Sequence, residues 1–261
     1  MTSQTIKKLK ITTLVEDTSP KRSFWGEHGL SFWIEADNKK ILFDTGQSGE
    51  VLLHNLRASK LDLRDLDAFV LSHSHDDHSG GIKLIIDQIK NIPMYCAFDA
   101  FEKYIPDGKR VSKLISDINY ARENLEIFPD IYIPQEQKTI NSPVPTKEIN
   151  MVINLERKGI VIIVGCAHHG LVNIINDAMS IFKGRIPVYA ILGGLHLKDS
   201  NKEEIINIVS FLKNSGLKIL APNHCTGSGA LRIMAQAFPQ EMKLVINTDT
   251  GSFHTGRTIQ L

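Results

Sequence analysis

Five apolar segments of strand length each run directly into a residue that can bind a metal, and this recurrence constrains the fold more than any other feature. The segments are "KKILFD", "LDAFVLSH", "GIVIIVGCAH", "VYAILGGLH" and "LKILAPNH", which end at Asp44, His73, His168, His196 and His224. They are rich in Ile, Val, Leu and Phe, as buried strands are. Ligands of α/β proteins bind at the carboxyl ends of strands, so we expect these side chains to meet at one edge of the fold.

Helical patterns lie between many of the strand patterns. Apolar residues recur at helical spacing in "SGEVLLHNLRASK", "GGIKLIIDQIKN", "LVNIINDAMSIF", "KEEIINIVSFLKNSG" and "SGALRIMAQAFP". Further strand patterns are "KLKITTLVE", "LSFWIEA", "MVINLE" and "KLVINTDTG", and "EADNKK" reads as the turn of an early hairpin. Strands with intervening helices predict an α/β protein whose sheets are covered by helices.

The length of 261 residues favours one large domain over the whole chain, 1–261. The stretch from about 98 to 147 differs from the rest, because it carries many charges and shows weak periodicity. Its prolines are Pro106, Pro129, Pro134, Pro143 and Pro145. We interpret this stretch as an insertion that passes over the active-site side.

The charge balance argues against a nucleic-acid or anionic membrane surface, since 30 Lys and Arg face 29 Asp and Glu. No apolar run reaches the length of a membrane span. The start, "MTSQTIKKLKITTLVEDTSP", lacks the apolar core of a secretory signal, so we expect a cytoplasmic protein. Three cysteines are not a disulfide framework. Cys166 and Cys225 stand beside histidines and are either metal ligands or small buried hydrophobes, of which we favour the second.

The stretch "HSHDDH", residues 73–78, concentrates three histidines and two aspartates. Side chains alternate along extended backbone, so His73 and His75 would face the same side and could chelate one ion. If the chain then turns into a helix, Asp77 and His78 point elsewhere and could serve a second ion. Imidazoles and carboxylates are good ligands for divalent metals. Gly80 and Gly81 permit a tight turn behind them.

This stretch has the form H-x-H-x-D-H and resembles the signature of the metallo-β-lactamase superfamily. "ILFDTG", "GCAHH" and "APNHC" resemble further motifs of that family. The resemblance implies an αβ/βα four-layer sandwich of two mixed sheets. It also implies one or two divalent ions, with zinc expected and manganese, magnesium or iron as alternatives. The implied ligands are His73, His75 and His168 for the first ion and Asp77, His78 and His224 for the second. Asp44 would contact the ligand side chains rather than the ions. His169 is the alternative to His168 as a ligand.

One feature departs from the family pattern. The family usually carries a metal-bridging aspartate after the strand that follows the third-motif histidine. Here that strand reads "VYAILGGLHL" and offers no acid, only His196. His196 is therefore a ligand, a substrate contact or a structural histidine, and we assign it a catalytic role together with Asp77. Glu27, His28 and Thr226 are candidate substrate contacts.

Several stretches, "EHGLSFWIE", "ILFDTGQS", "GGLHL" and "APNHCTG", resemble one branch of the superfamily. This group of class II metal-dependent hydrolases is named after the dihydropterin-ribofuranosyl-aminobenzene phosphate synthase of methanopterin biosynthesis. The resemblance implies a transferase that joins a dihydropterin methyl diphosphate to an arylamine phosphate. A hydrolase of phosphate esters, thioesters or lactones that uses a metal-bound hydroxide is the first alternative. An iron-binding redox protein is the second. The expected partner is a small phosphorylated substrate, and a homodimer is left open.

Overall fold

The computed structural model describes residues 5–100, 111–140, 142, 146–242 and 253–261. Its strands are β1 (Leu9–Val15), β2 (Ser31–Ala36), β3 (Lys39–Phe43), β4 (Ala68–Leu71), β5 (Met94–Cys96), β6 (Ile118–Tyr120), β7 (Leu125–Phe128), β8 (Ile131–Ile133), β9 (Gln137–Lys138), β10 (Lys147–Glu148), β11 (Met151–Leu155), β12 (Gly159–Val164), β13 (Val188–Gly194), β14 (Ile219–Asn223) and β15 (Thr258–Gln260). Its helices are α1 (Glu50–Ala58), α2 (Asp76–Ser79), α3 (Ile82–Ile89), α4 (Leu171–Ile181), α5 (Lys202–Asn214) and α6 (Ser228–Ala237).

Two mixed sheets organise these elements. The first has the order β15-β1-β2-β3-β4-β5-β6, and the second has the order β14-β13-β12-β11-β8-β7. Strands β3 to β6 run parallel to one another, as do β12, β13 and β14, while the remaining neighbours are antiparallel. Helices cover the sheets, which confirms the predicted four-layer sandwich.

The alternation of side chains along β12 shows how the layers are held. Val161 and Ile163 belong to the large core cluster that also contains residues of the first sheet. Ile160, Ile162 and Val164 belong to a second cluster formed with residues of α4, α5 and α6. The strand is fully buried on both faces, and this explains its continuous apolar sequence.

The stretch 98–147 contributes to both sheets where it is described. It supplies β6 to the edge of the first sheet and β7 and β8 to the second. These strands are only three or four residues long, which explains the weak periodicity. The interpretation as an insertion stays a prediction, and Pro106, Pro143 and Pro145 lie outside the described residues, as does the strand pattern "KLVINTDTG". Within the described ranges, no helix is both long and apolar enough to cross a membrane.

The strand directions bring the chemically important residues to one edge. β1 and β3 are both antiparallel to β2 and therefore run the same way. β4 is parallel to β3, so the carboxyl ends of β1, β3 and β4 lie on one side of the first sheet. The second sheet meets this edge at Gly165, where an added Cβ would collide with the Ser72 side chain.

Candidate metal centre

Three imidazoles converge at the ends of β4 and β12. Nε2 of His73 lies 3.1 Å from Nδ1 of His75. The ring of His168 lies 5.0 Å from that of His73 and 4.8 Å from that of His75, measured between centroids. One nitrogen of each ring falls within 4.8 Å of the others. We call these three residues the first cluster.

A second cluster consists of Asp77, His78 and His224. Oδ2 of Asp77 is 3.1 Å from Nε2 of His224 and 3.8 Å from Nε2 of His78. Asp77 and His78 lie on α2, which begins directly after His75, so the chain does turn into a helix within this stretch. The clusters adjoin each other, since the ring centroids of His73 and His78 are 4.2 Å apart.

Asp44 and Ser72 orient one ring of each cluster. Oδ2 of Asp44 lies 2.7 Å from Nδ1 of His78 and also accepts the Ser72 hydroxyl at 2.7 Å. The Ser72 oxygen then accepts from Nδ1 of His73 at 2.9 Å. Both rings therefore hold Nδ1 in a buried network and present Nε2 to the centre, as metal-ligating histidines do.

Asp17 does the same for His224 and was not found by sequence reasoning. Its Oδ1 lies 2.8 Å from Nδ1 of His224. The neighbouring Glu16 is buried and accepts the His224 backbone N–H at 3.1 Å. The available signal was the pair of acids that directly follows β1, which ends at the same edge as β3. Burial lowers the pKa of His224, but the hydrogen bonds to Asp17 and Asp77 raise it to about 10.

Glu148 is a second buried acid that sequence reasoning missed. It accepts the backbone N–H groups of His168 and His169 and so holds the turn that carries His168. Burial raises the pKa of Glu148 to about 7 against these hydrogen bonds. The His169 ring points away from the clusters, because its Nδ1 faces the Lys138 carbonyl at 3.3 Å. The structure thus brings His168 rather than His169 to the centre.

The backbone around the centre adopts conformations that side-chain-bearing residues rarely use. Asp44, Ala167, His196 and His224 have φ angles of 58°, 54°, 50° and 47°. Such left-handed conformations cost of order 1–3 kcal/mol each and cluster at functional sites. These conformations form the sharp turns that follow the strands and set the direction of the side chains there.

His196 lies between the first cluster and a cavity. Its ring centroid is 4.2 Å from that of His168. The cavity has a volume of about 420 Å³, and its lining includes His196, three leucines, Asp199 and Glu204. The Cys225 sulfur raises the pKa of His196 by hydrogen bonding, although burial opposes it. The structure therefore places His196 where a bound molecule could touch it.

The three candidate substrate contacts occupy different environments. His28 is exposed above the second cluster, with Nε2 3.4 Å from Oδ2 of Asp77. Glu27 instead accepts the backbone N–H groups of Gln47 and Ser48 and fastens its own loop. Thr226 is fully buried, and its hydroxyl donates to the Asn223 carbonyl. Only His28 faces the clusters, so the expectations for Glu27 and Thr226 differ from the observed contacts.

The donors of both clusters suit divalent metal ions. Imidazole nitrogens and a carboxylate oxygen converge at short distances, and such donors are typical of zinc and of other first-row metals. Burial, reinforced by the neighbouring imidazoles, lowers the pKa of His73 well below its usual value. His73 is therefore neutral, which is the form that binds a metal.

Comparison with known proteins shows what the chain is similar to. A model of the metallo-beta-lactamase superfamily matches residues 25–179. The chain is 31% identical over 279 residues to 7,8-dihydropterin-6-methyl-4-(beta-D-ribofuranosyl)-aminobenzene-5'-phosphate synthase of Methanocaldococcus jannaschii, covering 91% of this chain and 94% of that protein. It is 32% identical over 248 residues to the uncharacterized protein MJ0448 of the same organism, covering 87% and 94%. The solved structure of Tm1679, a metal-dependent hydrolase of the beta-lactamase superfamily, has the same fold, with a TM-score of 0.72, 24% identity and coverage of 96% and 98%.

Proposed function

This chain belongs to the metallo-β-lactamase superfamily, and from that premise we propose that it is a transferase of the dihydropterin-ribofuranosyl-aminobenzene phosphate synthase type. The observation that carries the proposal is the likeness to the archaeal synthase, which extends over nearly the full length of both proteins. The proposed substrates are a dihydropterin methyl diphosphate and an arylamine phosphate.

The proposed ligands are the first cluster for one ion and the second cluster for the other. Zinc is the proposed ion, because imidazole-rich sets with one carboxylate suit it. When bound, divalent ions would hold and neutralise the diphosphate leaving group. Asp17 and Asp44 would keep His224 and His78 in the orientation that presents Nε2. Asp77 would supply the only carboxylate in either cluster.

His28 and His196 are the proposed contacts with the reacting molecules. In this reaction a bond forms between the amine nitrogen and the methylene carbon, and the bond between that carbon and the diphosphate oxygen breaks. The amine nitrogen gives up a proton. His28, exposed above the second cluster, would accept that proton at a ring nitrogen. His196 would contact the substrate from the wall of the neighbouring cavity.

The cavity suits the dihydropterin ring of the diphosphate substrate. A volume of about 420 Å³ lies in the range of small-molecule sites. Leu171, Leu195 and Leu197 would pack against a flat ring, and the carboxylates of Asp199 and Glu204 would accept its N–H groups. The diphosphate of the same substrate would then extend past His196 toward the two clusters.

Product analysis by mass spectrometry tests the proposal. Zinc-loaded protein is incubated with the dihydropterin methyl diphosphate and the ribofuranosyl-aminobenzene phosphate amine, and a coupled product with released diphosphate is expected. Asp77→Ala should remove most of the coupling activity. Asp87→Ala, which changes an exposed acid on α3, should not. Hydrolysed diphosphate without coupling, or no reaction, would overturn the transferase proposal in favour of a metal-dependent hydrolase.

A further inference from the structure

The strand that should deliver the bridging aspartate ends instead in two glycines. Gly193 has a φ of 125°, and an added Cβ there would collide with the Val164 carbonyl oxygen. A Cβ on Gly194 would lie 2.5 Å from the Gly165 carbonyl oxygen and 2.7 Å from Sγ of Cys225. Real Cβ atoms do not approach other atoms so closely, so a carboxylate-bearing residue cannot replace Gly194 without movement. The space at the end of β13 is already filled by sulfur.

The thiols of Cys166 and Cys225 lie next to each other beside Gly194. Cys166 follows β12 and Cys225 follows β14, the strands on either side of β13. Both cysteines are buried, and their Sγ atoms are 3.1 Å apart. The backbone N–H of His196 donates to Sγ of Cys225 at 3.3 Å. The absence of a side chain on Gly194 is what leaves room for the Cys225 sulfur beside Cys166.

Cys166 is the thiol that lies between the two clusters. Its Sγ is 3.3 Å from Nε2 of His78, the nitrogen that faces the second cluster. The same Sγ lies within 4.8 Å of a ring nitrogen of His73, which belongs to the first cluster. A shared ligand of two neighbouring ions must stand in such a position. Thiolate is also a strong ligand for zinc, at a bond length of about 2.3 Å.

We infer that Cys166 is a metal ligand that takes the place of the missing bridging carboxylate, and that Cys225 positions it. The inference rests on the metal centre of the proposed function. Binding would form a metal–sulfur bond and break the S–H bond of Cys166, and the proton would pass to solvent. Without metal, Cys166 donates its S–H to Sγ of Cys225. Metal binding would reverse this hydrogen bond, so that Cys225 would donate its own S–H to the Cys166 thiolate. A soft sulfur at the centre favours zinc, cobalt or ferrous iron over magnesium, manganese and calcium, which prefer oxygen ligands.

Cobalt substitution tests the inference without relying on activity. Cobalt bound to thiolate shows a near-ultraviolet sulfur-to-metal charge-transfer band, while its visible bands report binding by any ligand. We expect the charge-transfer band in the reduced wild-type protein, in Cys225→Ser with a shifted position, and in Cys96→Ser. Cys96 is the matched control, since it is a buried free cysteine on β5 in the other sheet. Cys166→Ser should lose the band and keep the visible bands.

A second measurement covers the case in which Cys166→Ser fails to fold. X-ray absorption at the zinc edge of the wild-type protein should show a sulfur neighbour in addition to nitrogen and oxygen. Cobalt binding without the charge-transfer band, a band retained in Cys166→Ser, or a zinc shell without sulfur would each overturn the inference while leaving the centre itself intact. Failure of the wild-type protein to bind cobalt or zinc at all would overturn the proposed centre as well.

Discussion

Metal binding at the second cluster should depend steeply on pH because His224 must lose a proton first. Without metal its pKa is raised to about 10 by hydrogen bonds to Asp17 and Asp77 that outweigh its burial. The pKa of His224 lies about 3 units above pH 7. Removing its proton at pH 7 therefore costs about 4 kcal/mol, which lowers the apparent metal affinity about a thousandfold. The His224 proton by itself should therefore make the affinity rise about tenfold for each pH unit above neutrality, until the pH approaches the pKa of His224, and release of the Cys166 proton would steepen this dependence.

Asp17→Asn separates charge from geometry in this argument. The amide oxygen can still accept from Nδ1 of His224, which lies 2.8 Å from the Asp17 carboxylate, and from the Gly29 N–H. The negative charge is lost, so the pKa of His224 should fall and the pH dependence of binding should become shallower. The loss of ligand basicity should also weaken binding by about 10- to 100-fold where His224 is already neutral.

The assay is a competitive zinc titration against a chromophoric chelator between about pH 7 and pH 9, where His224 without metal is mostly protonated. Calorimetry in buffers of different ionisation enthalpy should give the number of protons released by the wild-type protein. Asp87→Asn, at an exposed position on α3, is the matched control and should keep the wild-type slope. A wild-type affinity that does not change with pH, or an Asp17→Asn slope equal to that of the wild type, would refute the reasoning.

Three further predictions follow from the same contacts. Asp77→Ala should remove the ion of the second cluster and most of the activity, and full activity with unchanged metal content by mass spectrometry would contradict its role. Gly194→Ala should lower the free energy of unfolding in urea by about 1–3 kcal/mol, because its Cβ would overlap Cys225, whereas Gly229→Ala has open space and should not destabilise. The pKa of Glu148 is raised from 4.5 to about 7 in the fold, so its protonated carboxyl stabilises the metal-free protein. This stabilisation of up to about 3 kcal/mol is complete below about pH 4.5 and is lost as the pH rises through 7. Glu148→Gln should flatten that part of the stability curve, and an unchanged curve would speak against the raised pKa.

The sandwich and its strand ends were predictable from the sequence because both depend on local patterns. Apolar runs such as that of β12 are continuous, since both faces of the strand are buried. The histidines of "HSHDDH" stand close in the chain, so their approach in space needs only one extended turn and the short helix α2. The choice of His168 over His169 rested on the resemblance alone, and the structure agrees by turning His169 toward the Lys138 carbonyl.

Only the tertiary structure decided which distant acids and thiols support the centre. Asp17 follows β1 of the first sheet, whereas Glu148 ends the short strand β10, which pairs with β9. Carboxylates are common on solvated surfaces, so apart from the place of Asp17 after a strand nothing local distinguished these two. Cys166 and Cys225 are 59 positions apart and meet because β13 lies between their strands and ends without side chains. The spacing of the ligands within "HSHDDH" depends on only a few neighbouring residues. The groups that orient those ligands are set by strand order and direction, which the sequence pattern leaves open.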